Sequence, residues 1–129
     1  MGDGEKMRTE IHYFADDETE FDTEEECRAY EEEFKDLLSS VQFFDENFIQ
    51  IRTVEDIEMN VVFMYIKDFL KAYDLFNRLC SWISFEVPYN VPYYNGDILW
   101  MNDTGEWINV GREINRLTAI RDTVLSGVE

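Results

Sequence analysis

The sequence predicts an α+β fold, a single domain over residues 1–129 in which a mostly antiparallel sheet carries about three helices. Three observations predict it. Helical periodicity recurs in three separate stretches, near residues 23–38, 68–83 and 112–125. Short β-rich runs lie between them, punctuated by turn residues, of which Asn95-Gly96 is the strongest hairpin signal. The resulting order is strand, helix, strands, helix, hairpin strands, helix, which suits an antiparallel sheet with helices on one face. At 129 residues, with 45% hydrophobic and 16% aromatic side chains, the chain is long and apolar enough for a real core.

Met1–Lys6 reads as a loose start. Arg8–Phe14 alternates, with Ile11 and Tyr13 set against Glu10 and His12, and predicts a strand. Ala15–Glu20 is a charged turn. Asp16, Glu18, Glu20 and Asp22 have the alternate spacing of a calcium loop. Phe21 stands where that loop needs glycine and Cys27 where it needs glutamate, so the EF-hand reading fails.

A helix follows, with Asp22 or Thr23 as N-cap. Thr23 and Glu26 have the spacing of a capping box, and Glu24, Glu25 and Glu26 suit the positive end of the helix dipole. Cys27, Tyr30, Phe34, Leu37 and Leu38 form its buried stripe. Val41–Phe44 and Phe48–Ile51 are short strands around an Asp45-Glu46-Asn47 turn. Thr53 caps a single helical turn over 53–58. Val61–Ile66, the continuous run VVFMYI, suits a central strand buried on both faces. Asp68 caps the next helix, whose apolar face is Phe69, Leu70, Tyr73, Phe76, Leu79, Cys80 and Ile83. Val91–Tyr94, Asp97–Met101 and Glu106–Val110 then make a three-stranded meander. A last helix over 112–125 packs through Ile114, Leu117, Ile120 and Val124, with Arg112, Arg116 and Arg121 on its outer side.

Charge narrows the possible functions. The formal net charge is −18, from 29 acids and 11 bases, and fifteen of those acids fall in the first 36 residues. A surface this negative repels nucleic acids and anionic membranes, which leaves basic proteins or cations as partners. On the first helix, Glu24–Arg28 and Glu31–Lys35 are i,i+4 pairs that nearly neutralise one flank. Glu25, Glu32 and Asp36 lie opposite the buried stripe with Glu33 beside them, and no base of the helix faces them. Successive residues rise about 1.5 Å, so Glu32 and Asp36 are about 6 Å apart along the axis. Phosphates of one strand advance about 3.4 Å per nucleotide, so such a row is able to imitate a phosphate row. A solvated face that only keeps the protein soluble is the plainer reading of the same carboxylates.

Catalytic signals are missing from the sequence. His12 is the only histidine, and Cys27 and Cys80 sit on apolar helix faces as reduced, buried residues of a cytosolic protein. There is no CxxC, HExxH, P-loop or GxGxxG. The carboxylates are too numerous for any pair of them to point to acid–base chemistry. The expectation is therefore a non-enzyme with no cofactor and no metal. No apolar run of transmembrane length and no signal peptide is visible. Among the meander aromatics, Tyr89, Tyr93, Tyr94, Trp100 and Trp107, core packing comes first. Tyr89 and Tyr93 become interface anchors if exposed.

The stretch IHYFADDETEFDTEEECRAYE pairs an aromatic strand with an acidic turn ending in Glu20-Phe21. A helix bearing Glu25-Glu26-Cys27 and Tyr30-Glu31 follows. This arrangement resembles the opening of small acidic proteins carried by phages and prophages of Gram-positive bacteria. That resemblance implies a host-defence inhibitor of the anti-CRISPR or DNA-mimic type, acting in the bacterial host cytoplasm. It transfers no functional residues. On this reading Glu25, Glu32, Glu33 and Asp36 stand in for phosphates, and Asp16, Asp17 and Glu18 extend the row. The partner is a basic nucleic-acid-binding protein, with a CRISPR nuclease the first candidate, and neither nucleic acid nor membrane is bound directly. The alternative is a phage accessory interaction module in which the meander, through Tyr89 and Tyr93, is the interface and the acids only solubilise. Oligomeric state and strand order stay open.

Overall fold

Cross-strand pairing gathers the β-rich runs into a two-stranded and a five-stranded antiparallel sheet. The computed structural model of the chain describes residues 11–128. Over them the fold is α+β, with seven short antiparallel strands and four helices. Where one domain is expected over residues 1–129, the chain groups into two compact units, one ending at Asp36 and the other beginning at Leu37. The expected loose start at Met1–Lys6, and the part of the Arg8–Phe14 strand before Ile11, lie outside the described residues.

In the first unit, β1 (Tyr13–Phe14) pairs with β2 (Glu20–Phe21). The turn between them is closed by backbone bonds from Ala15 to Thr19 and from Glu18 to Ala15, and Glu18 takes a positive φ of 69°. Helix α1 (Glu24–Leu38) starts here. Thr23 is its cap, its hydroxyl accepting from the Glu26 amide at 3.1 Å, which is the hydroxyl half of the expected box. Cys27 is buried and Tyr30 half-buried, as the periodicity predicts, and the Phe21 ring lies 5.1 Å from that of Tyr30.

In the second unit, β3 (Val41–Phe44), β4 (Gln50–Ile51), β5 (Phe63–Ile66), β6 (Ile98–Met101) and β7 (Trp107–Asn109) form a sheet in the order β4-β3-β5-β6-β7. The register aligns Ile51, Phe43, Met64, Leu99 and Asn109 in one row across all five strands. Every member of that row is buried, and Val41, Ile66 and Trp107 join them on the inner face. Helix α2 (Val54–Asn60), capped by Thr53, is two turns rather than one and buries Ile57. Helix α3 (Phe69–Trp82) is capped by the Asp68 carboxylate, which accepts from Leu70 and Lys71. Its buried face is Ala72, Leu75, Phe76 and Leu79. Phe76 stacks on Phe85 at 5.5 Å, and Phe85 meets Phe43 and Trp107 at 6.5 Å each, which ties α3 to the inner face.

Four expectations need correction. The α3 face is rotated from the one periodicity predicts: Leu70, Tyr73 and Cys80 are exposed, while Ala72 and Leu75 take the core. Apolar residues run most of the way round this helix, and only one side meets the sheet. The VVFMYI strand is covered on one face only, with Met64 and Ile66 fully buried and Tyr65 36% exposed. The meander has two strands, because Val91–Tyr94 is irregular; Asn95-Gly96 still turns, with Gly96 at φ +90°. Helix α4 (Val110–Ser126) buries no residue, so Ile114, Leu117, Ile120 and Val124 are exposed instead of packed.

Phe76→Ala is expected to lower unfolding free energy by about 3–5 kcal/mol, since it empties a fully buried site. Leu70→Ala, at a 68% exposed position, is expected to change it by less than about 0.5 kcal/mol. Urea unfolding of both variants checks this. A large loss at Leu70 would restore the face that periodicity predicts.

Candidate functional site

Helix α1 presents Glu25, Glu32, Glu33 and Asp36 to solvent. Their side of the helix lies opposite Cys27 and Tyr30, as the 100° step requires. Neither Glu25 nor Glu33 has an ion-pair partner among the described residues. Glu24 pairs with Arg28 at 2.6 Å, as expected for i,i+4. Lys35, however, bonds Glu32 at 3.1 Å rather than Glu31. An i,i+3 contact is as short a reach as i,i+4 for a lysine, so the row is partly compensated at Glu32. Both lysine and glutamate stay well exposed, so the pair adds little stability and yields readily to a competing cation.

Asp16, Asp17 and Glu18 do not extend this row. The Tyr30 hydroxyl donates to an oxygen of Asp17, whose other oxygen accepts from the Thr19 amide at 3.1 Å. Asp17 is therefore half-buried, and it holds the β1–β2 turn against the side of α1 that faces away from Glu25 and Asp36. Asp16 and Glu18 are exposed but belong to that opposite side. The same arrangement acts on Cys27. Burial pushes its thiol above the ordinary value, and the carboxylates of Glu31, Asp16, Asp17 and Glu24 push it further. Periodicity gives no sign of this turn-to-helix contact; the one legible hint is the Asp17–Thr19 spacing of an Asx turn.

The aromatic candidates separate. Tyr89 is 70% exposed and lies beside a cleft of about 380 Å³ that includes Pro88, Glu106 and Trp107. Tyr93 is half-buried, with its ring edge-on to Phe76 at 5.7 Å. Burial, and then Tyr73, raises its phenol above the usual range. Tyr93 is thus packed on Phe76 of α3 and less accessible than Tyr89. Trp107 is buried and donates its indole N–H to the Glu86 carbonyl at 2.7 Å, so the wall of the cleft is fixed.

No group of three or more His, Cys, Asp or Glu residues among the described residues is placed to hold a metal ion. His12 pairs with Glu20. Cys80, expected in the core, is exposed, because the face of α3 is rotated. No helix among the described residues is long and apolar enough to cross a membrane.

Residues that, apart from Trp100, sequence reasoning did not single out lie on the outer face of the second unit's sheet. Phe44, Phe63, Trp100 and Ile108 form one cross-strand row there, and Tyr65 with Ile98 begins another. Phe48, at φ +66°, stacks on Phe63 at 5.0 Å. Phe44, Phe48, Phe63, Tyr65 and Ile98, with Val110 from the start of α4, line an apolar cleft of about 350 Å³. The signal was present in VVFMYI, whose outward residues are as apolar as its inward ones. Comparison with protein-family models, with curated protein sequences and with solved structures returns no match.

The two thiols provide a direct check on this geometry. A thiol reagent at neutral pH should titrate one cysteine per native chain, Cys80, and both after denaturation. A raised pKa means less thiolate at a given pH, so native-state modification of Cys27 should become appreciable only as pH rises above the ordinary thiol range. Site-resolved mass spectrometry distinguishes the two; fast neutral labelling of Cys27 would contradict its burial.

Proposed function

We propose that this chain is a non-enzymatic inhibitor that occupies a basic nucleic-acid-binding surface of a host defence nuclease. It does so by presenting carboxylates where that surface expects phosphates. The observation that carries the reading is the exposed row Glu25, Glu32 and Asp36 with Glu33 beside it, set on one rigid helix in a chain of net charge −18. A helix holds such charges at fixed spacing, which lowers the ordering cost of matching a row of lysines and arginines. The chain's summed negative field speeds encounter with a basic channel and discourages the wrong partners, including nucleic acid itself. Occluding the channel requires no bond to be made or broken, so no catalytic group, cofactor or metal enters the mechanism. The resemblance of residues 11–31 to phage and prophage proteins favours an anti-CRISPR setting, with a CRISPR nuclease as target and the bacterial cytoplasm as the compartment.

A second reading is favoured by the exposed aromatics: an accessory interaction module that docks through the second unit while the acids only solubilise. On that reading Tyr89 is the anchor from the original pair, since Tyr93 is committed to Phe76.

The two readings predict opposite mutational patterns. Under the first, the triple variant Glu25→Lys, Glu32→Lys, Asp36→Lys should lose on the order of 100-fold in affinity for its basic target. Wild-type binding should weaken between about 50 and 200 mM salt, and duplex DNA should compete it away. Tyr89→Ala should bind normally. Binding by surface plasmon resonance to a panel of basic nucleases, with circular dichroism to verify folding, tests this. Undiminished inhibition by a folded triple variant would sink the charge-mimic mechanism.

A further inference from the structure

Strand β7 ends the five-stranded sheet, and hydrogen bonds around it give its phase. The Met101 amide turns to the Val62 carbonyl at 2.8 Å, while the Asn102 amide turns the other way, to Glu106 at 2.9 Å. Backbone groups alternate sides along a strand. Trp107, opposite Met101, and Asn109, opposite Leu99, therefore direct theirs away from β6. Among the described residues neither of these amides forms a backbone hydrogen bond. Asn109 caps α4, which occupies its carbonyl, so the edge offers two N–H groups and the Trp107 carbonyl. The segment alongside, residues 86–92, does not complete the ladder. It is irregular and holds both of the chain's prolines, Pro88 and Pro92, which carry no N–H. Side chains hold it to β7 instead: the Trp107 indole donates to the Glu86 carbonyl and the Asn109 amide to that of Pro92.

Two clefts open between that segment and β7, one of about 380 Å³ and one of about 640 Å³. Both are walled by Asn90, Val91 and Trp107, so they follow one another along the edge. We propose that this groove binds an extended segment of another protein as a sixth, antiparallel strand, with a basic side chain in the smaller cleft and an apolar one in the larger. The edge itself specifies a polypeptide. An extended chain turns N–H and C=O to one side at every second residue, about 7 Å apart, which is the separation of the Trp107 and Asn109 groups.

Side-chain chemistry supplies the specificity. Residues opposite Trp107 and Asn109 point to the same sheet face as they do, the face against which residues 86–92 are held. Side chains two apart in the bound segment therefore enter the two clefts. Glu86 and Glu106 wall the smaller one, with the exposed ring of Tyr89 beside them. Neither carboxylate has an ion-pair partner among the described residues. Acids beside an aromatic ring suit a lysine or arginine, and the net charge of −18 draws basic segments in. Val91, Pro92 and Ile108 give the larger cleft an apolar wall, and Arg112 there opposes a second cation. In antiparallel pairing the recognised order is apolar, any residue, basic. The groove uses none of the α1 carboxylates, so it stands or falls independently of the inhibitor reading.

Calorimetric titration of the full chain with the end-blocked peptide Ser-Leu-Ser-Lys-Ser tests it. The peptide should bind with a dissociation constant of about 100 μM or below. Methylating the backbone nitrogen of its leucine or lysine, which face β7, should weaken binding by at least about tenfold. Methylating that of the central serine, opposite Ile108 and turned away, should leave binding within about twofold. The double variant Glu86→Gln, Glu106→Gln, which keeps side-chain shape, should lose about tenfold in affinity and most of the salt dependence. Absence of binding at about 1 mM peptide would overturn the proposal. Equal tolerance of all three methylations would exclude strand pairing, and an unaffected carboxylate variant would exclude the basic side chain. A peptide-free chain that sediments as a dimer, and takes peptide only as that dimer is diluted apart, would give the edge to a second copy instead.

Discussion

The second unit depends on the contact between Phe76 and Phe85. Phe76 is fully buried, stacks on Phe85 and receives the edge of Tyr93. Phe85 in turn reaches Phe43 on β3 and Trp107 on β7. One aromatic cluster therefore joins α3, the irregular segment after it and two strands of the sheet. Aromatic rings in offset and edge-on contact add to the burial of their large apolar area. The same cluster accounts for the irregular course of residues 83–97. Val91–Tyr94 does not extend a strand because Tyr93 is turned toward Phe76, and the Asn109 amide holds the Pro92 carbonyl and the Asp97 carboxylate at 3.0 Å each.

A smaller constraint organises the first unit. The hydrogen bond from Tyr30 to Asp17 fastens an acidic turn to the apolar side of α1. It divides the acids by role. Asp17 is a structural acceptor, and Asp16 and Glu18 flank it. Glu25, Glu32, Glu33 and Asp36 keep the other side of the helix. A dense acidic stretch thus contains a carboxylate that fastens the turn to the helix and carboxylates that face solvent on the helix's other side. Their sorting follows from which side of the helix a residue occupies rather than from its place in the acidic run.

Much of the local structure was legible from residue types. Thr23, Thr53 and Asp68 cap the helices they were expected to cap, because a side-chain oxygen near the first amides is recognisable without tertiary information. The turn at Asp45 and the positive-φ glycine at Gly96 follow from side-chain chemistry in the same way. Faces were harder. Leu70 and Ala72 are both apolar and only two residues apart, but at 100° per residue Leu70 falls between Asn77 and Ser81 and Ala72 between Phe76 and Leu79, so the larger side chain is the exposed one. Tyr65 alternates with Met64 and Ile66 in a continuous apolar run, so periodicity cannot mark it as exposed. Tyr89 and Tyr93 are alike in sequence context, yet only Tyr93 has a ring to pack on.

The sequence by itself determined the α+β class, the helix starts, the principal turns, the strong negative charge and the solvent-facing row on α1. These depend on the chain's own neighbours within a few residues, where backbone geometry and hydrogen-bond chemistry are decisive. Only the tertiary structure decided which apolar face of α3 is core and that the Asp16–Glu18 turn lies away from the carboxylate row. It alone left α4 and the outer sheet face without cover. Those outcomes depend on contacts between elements distant in sequence. Hydrophobicity states that a surface should be buried, and the packing of the whole chain determines whether the molecule has anything to bury it against.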